Sequence, residues 1–102
     1  MAINAGKFAL DNLSTFKERM RIDHTLEDNL LKRMLQTSVK VVAALVGANE
    51  VSDELTELSF ERARYVYHDA LDEFFKNYAD EIENLYLSIK LSESEASEDD
   101  EK

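Results

Sequence analysis

His68 and Asp72 stand four positions apart, a spacing that on a helix puts two side chains on one face and could offer a metal two ligands. The only other histidine is His24, and no second ligand pair lies near either one in sequence. A two-residue spacing is a weak motif, so a plain surface pair is the better reading, with no metal or cofactor expected. His24 follows Asp23 and reads as part of a turn. No serine, lysine or carboxylate falls in a catalytic motif: there is no nucleophile elbow, phosphate-binding glycine loop or metalloprotease helix. Carboxylates are abundant, but abundance on a chain of net charge −10 describes a solvated surface before it describes an active site. The chain reads as a non-enzyme.

The elements that carry these residues are expected to be helices. Proline and cysteine are absent and glycine occurs twice in 102 residues, so little punctuates a helix and no disulfide is possible. The N-terminus lacks the long apolar run of a signal peptide, and no run of ~18 apolar residues suits a membrane span. The expected fold is all-α, a small bundle with a short first helix, two long central helices, a C-terminal helical segment and an acidic tail. One helical domain would cover 1–91.

Residues 1–11 read as an arm. Asn12 is placed to cap a first helix of about two turns, with Leu13, Phe16 and Met20 at helical spacing. A break follows at Arg21-Ile22-Asp23-His24. Thr25 and Asp28 resemble a capping box that opens a second helix from Leu26 to about Val46. Two apolar rows, Leu30/Met34/Val41/Leu45 and Leu31/Leu35/Val42/Val46, make it the central helix, with its last two turns surrounded. Gly47 is the expected left-handed stop. Ser52 is placed to cap a third helix whose apolar spacing runs from Leu55 to Tyr78, with one skipped turn near Arg62 and a weak point at Asn77. Tyr78, Ile82, Leu85, Tyr86 and Ile89 continue the spacing in a last segment. From Ser92 to Lys102 no large apolar residue remains, and such an acidic, serine-rich tail is expected to be unfolded in the free protein.

Charge is uneven along the chain. Residues 1–49 carry a net +2, residues 50–91 a net −7 and residues 92–102 a net −5. A chain basic at one end and acidic at the other could attract a copy of itself head-to-tail. Duplex DNA repels it on average. The cations Lys17, Arg19, Arg21, Lys32, Arg33 and Lys40 lie on at least two helix faces among Glu18, Glu27 and Asp28, which favours ion pairing within or between chains over a nucleic-acid patch. Glu50, Glu54, Glu57 and Glu61 repeat as an acidic stripe on the third helix. Most aromatic residues follow the core spacing, whereas Tyr65 lies off it and is a candidate interface residue.

Asn12 to Gly47 resembles the opening of tailed-bacteriophage head–tail connector proteins, the adaptor or head completion family. The resemblance rests on Phe16, Lys17 and Met20, the turn Arg21-Ile22-Asp23, then Asp28, the pair Leu30-Leu31, and a long helix closing at Gly47. Met20 stands where the family usually has Leu, and beyond Phe60 only the pattern is similar. The resemblance implies a structural protein of the virion, at the head–tail interface, that is present in the host cytoplasm during assembly. It implies a subunit that is monomeric when free and joins the portal protein after DNA packaging, forming a twelve-fold ring to match the portal. That ring would extend the DNA channel without specific DNA binding and offer a docking surface for the stopper protein. Within that frame Tyr86, Leu87, Ile89 and Leu91 are the expected portal contacts, and Glu50, Glu54, Glu57 and Glu61 the expected channel lining. The competing reading is an acidic DNA mimic or a regulatory helical protein with one protein partner.

Overall fold

Asn4 starts the chain's first helix. Its side-chain oxygen accepts the Lys7 backbone N–H at 3.0 Å, and the backbone stays helical from Ala5 to Met20 (α1). In this computed structural model the backbone is described for residues 2–100 and the side chains for residues 2–94. α1 is twice the expected length because the apolar spacing reaches back past Leu13. Phe8 and Ala9 are buried with Phe16, and Ile3 packs just before the helix. Asn12 is therefore no cap; it sits inside α1, its amide donating to the Phe8 carbonyl at 2.9 Å.

α1 ends in a Schellman turn. Arg21 takes a left-handed conformation (φ 60), its N–H donates to Glu18, and the Ile22 N–H donates to Lys17 at 2.9 Å. Half-buried Ile22 then packs on the core, which fixes where the chain turns back. α2 spans Asp28–Val46. The expected Thr25–Asp28 capping box does not form: the Asp28 carboxylate reaches across to Lys17 Nζ at 2.7 Å instead. α2 is central in contact terms, touching α1, α3 and α5. Leu31, Leu35, Val39 and Val42 are wholly buried, whereas Ala44 and Leu45 are exposed, so the last two turns are not surrounded. Gly47 closes α2 at φ 73.

Ser52 caps α3 (Asp53–Tyr67) by accepting the Leu55 N–H at 3.1 Å, with Asp53 and Glu54 in the favourable first turn. The third helix then stops eleven residues earlier than its apolar spacing suggests. Asp69 adopts φ 57, and the Ala70 N–H donates to Tyr65 at 2.8 Å in a second Schellman turn. A seven-residue α4 (Leu71–Asn77) follows, and a break at Tyr78 leads into α5 (Ala79–Asp100), so it is α4, not the third helix, that ends at Asn77. The backbone of α5 runs on to Asp100, and the tail expected to be unfolded begins within that span at Ser92, where the composition turns acidic and loses its large apolar residues. Among the described residues all regular structure is helical, and no helix is long and apolar enough to cross a membrane.

Phe16, with Phe60 5.6 Å away and Phe8 beyond it, knits α1 to α3 over α2. Phe74, also wholly buried, stacks on Tyr78 at 5.3 Å and meets Tyr65 edge-on at 5.9 Å.

Candidate interaction surfaces

His68 and Asp72 do not share a helix: His68 is the C-cap of α3, and Asp72 lies in the first turn of α4 beyond the Asp69 turn. Both are exposed. Among the described residues no three His, Asp or Glu side chains converge as a metal site would require.

Glu61 is the centre of the polar structure. Its carboxylate accepts from Arg64 at 2.6 Å, from the Tyr78 hydroxyl at 2.7 Å and from Arg19 at 3.2 Å. Burial pushes its carboxyl up, but the hydrogen bonds from Arg64 and Tyr78 and the nearby cations outweigh this and hold it below the usual carboxylate range. The same contacts raise the Tyr78 hydroxyl and the Arg64 guanidinium above their ordinary values, chiefly through the bond to Glu61. Arg19, raised chiefly by its bond to Glu57, grips that carboxylate with both guanidinium nitrogens at 2.6 and 3.0 Å. Two members of the acidic stripe, Glu57 and Glu61, are thus spent on joining α1, α3 and the start of α5. Glu50 and Glu54 are exposed and make no ion pair among the described residues.

Tyr65 is half-buried and packs within the chain. Its ring packs on Phe74 and Tyr78, Arg64 lies 5.0 Å over it, and its hydroxyl accepts from Asn77 at 3.0 Å. Arg62, at the skipped turn, is buried. It donates to Ser38 Oγ at 3.1 Å and has no carboxylate partner, so burial lowers its affinity for the proton. Of the cations noted in the sequence, Lys17 and Arg19 are paired across helices, while Arg21, Lys32, Arg33 and Lys40 make no ion pair among the described residues. In the turn between α1 and α2, Arg21 and Asp23 are exposed and Ile22 is half-buried, while Asp28, at the start of α2, is held by Lys17.

A groove of about 1710 Å³ opens between the N-terminal end of α1, the α2–α3 loop with the first half of α3, and the inner face of α5. Phe8, Leu58, Leu85 and Ile89 form its apolar floor. Its rim is acidic and includes Glu50 and Glu54. On the other side of α5 a smaller hollow gathers Leu45, Phe75, Ile82 and Tyr86, of which Leu45, Phe75 and Tyr86 are about two-fifths exposed.

The four expected portal contacts are spread around α5. Ile89 is half-buried on the groove side, Tyr86 belongs to the smaller hollow, and Leu87 and Leu91, four apart, share an outward face with 48% and 64% exposure. No family model, curated protein or solved structure matches the chain.

Proposed function

We propose that this chain is a head–tail connector adaptor: a structural subunit that docks on a phage portal, forms a ring that extends the DNA channel and receives the stopper. The observation that carries the reading is α5. It is the longest helix, yet none of its described side chains is buried, and Leu87 and Leu91 face outward together. A helix with an uncovered apolar edge is suited to docking. The chain's net charge of −10 suits a channel wall that must not hold phosphate. The family resemblance at Arg21-Ile22-Asp23 supplies the identity of the partners, and that turn is a formed helix–helix corner here.

Electron microscopy of the chain mixed with portal and stopper proteins tests the reading. Rings stacked on the portal are expected, with a double substitution Leu87→Asp and Leu91→Asp abolishing them while leaving helicity intact. Absence of any ring with the native chain overturns it. The alternative, an acidic DNA mimic, draws support from the unpaired carboxylates of the groove rim, and predicts competition with DNA for a protein target in place of portal binding.

A further inference from the structure

Two surfaces of this chain complement each other and cannot meet within one molecule. The first is the acidic groove. Glu50, Asp53, Glu54, Glu81 and Glu93 on its rim are all exposed and make no ion pair among the described residues, around a floor that includes Phe8, Leu58 and Leu85. The second is the outer strip of α2. Leu30, Arg33, Thr37, Lys40 and Ala44 follow one another at spacings of three and four, so they share one face, and all five are exposed. Leu26, 89% exposed, extends the strip just ahead of the helix. Lys32 lies beside it, and all three cations of α2 lack an ion pair among the described residues. The one acid of α2, Asp28, is already committed to Lys17.

No residue from 28 to 46 lines the groove, so the strip and the groove are different regions of the molecule. The strip is basic with apolar leucines at one end; the groove is acidic with an apolar floor. From this we infer that a second copy of the chain is the groove's occupant: the α2 strip of one copy sits against the acidic groove of the next. The contact joins unlike surfaces, so where the strip and the groove of one copy engage different neighbours it is heterologous, and its repetition gives a ring or an open chain of copies. It deepens the adaptor reading by giving the ring its subunit contact, and it rests on that reading only for the statement that the repeat closes. It also places Glu50 and Glu54 between subunits, in place of the channel lining the sequence suggested.

A single contact between exposed charges is weak, and salt screens it. The test therefore traps it. Cysteine is absent from the sequence, so Lys40→Cys and Glu54→Cys each give a single-thiol protein. The two are mixed at equal, high concentration in low salt and oxidised, and the disulfide products are counted by mass spectrometry. The 40–54 product is expected to exceed both like-to-like products at least tenfold, and to fall toward the statistical ratio near 1 M salt. Adding Arg33→Glu to the Lys40→Cys protein should remove the preference. Adding Glu50→Lys and Asp53→Lys to the Glu54→Cys protein as well should restore it. A statistical ratio from the start, an excess of either symmetric product, or indifference to these charge reversals overturns the contact. No portal is present in this measurement. A chain that decorates portals but cross-links statistically keeps its adaptor role and loses this interface; one with the 40–54 preference that ignores portals does the reverse.

Discussion

The helices α1 to α3 and the helix α5 are built on opposite terms. The first three bury Phe16, Leu31, Leu35, Val39, Val42 and Leu55 completely. Each of their ends carries a side-chain cap or a hydrogen-bonded turn, except the start of α2. α5 is longer than any of them and buries no described side chain; Ile82, Leu85 and Ile89 lean on the bundle half-covered. Apolar burial is what makes a helix of moderate length persist, so α1–α3 has the means to hold itself while α5 depends on what it touches. The lesson is that length and helical spacing measure a helix's propensity, whereas its complement of buried residues measures its purpose.

The largest expected effect lies in the bundle. Phe16→Ala should cost about 3–5 kcal/mol in a denaturant titration, since it empties the contact with Phe60 between α1 and α3. Leu87→Ala should cost less than about 0.5 kcal/mol, as expected for an exposed site. Comparable losses at the two positions would erase the distinction between core and arm.

Next comes the seam between the two regions. Glu61→Gln removes the charge that Arg19, Arg64 and Tyr78 share, with an expected loss of about 1–3 kcal/mol at neutral pH. The carboxyl of Glu61 is depressed in the folded state. Its stabilisation is therefore present above the unfolded carboxylate range, near pH 4.5, and is lost as pH falls through the lower folded value. Unfolding measured from about pH 6 to about pH 3 should show a shallower acid decline for Glu61→Gln than for the native chain. Parallel profiles would show that the seam is held by the aromatic contacts alone.

A smaller effect than at Glu61, and of opposite sign, is expected at the turn that separates α3 from α4. Asp69 holds a left-handed backbone that glycine adopts freely, so Asp69→Gly should raise stability by roughly 1 kcal/mol in thermal melts. A loss would mean that the Asp69 side chain matters to the turn by more than its backbone strain.

These same turns mark where the sequence is legible. Gly47 and Ser52 announce the end of α2 and the start of α3, because glycine and serine favour those positions for local reasons. Arg21 and Asp69 make the same kind of left-handed stop without a glycine. The first is legible because apolar spacing lapses there. The second is hidden because Val66, Tyr67, Ala70, Leu71 and Phe74 keep helical spacing across the break. The early start of α1 is hidden for the opposite reason: Gly6 and the polar residues around it mask Phe8 and Ala9, which only the tertiary packing recruits. At the level of surfaces, the acidic stripe is visible as a pattern. Its division into two paired and two unpaired carboxylates is not, because Arg19 lies 38 residues from Glu57 and 42 from Glu61 in the chain.

Phe74 gives α4 a mechanical meaning. It is the only buried residue of a seven-residue helix, wedged against Tyr65 and Tyr78 where α5 departs. From Ala79 to Ser94 the arm is roughly 24 Å long at about 1.5 Å per residue. α4 is in this sense the footing of the arm, whose length is then carried by the contacts of α5 with α2 and α3.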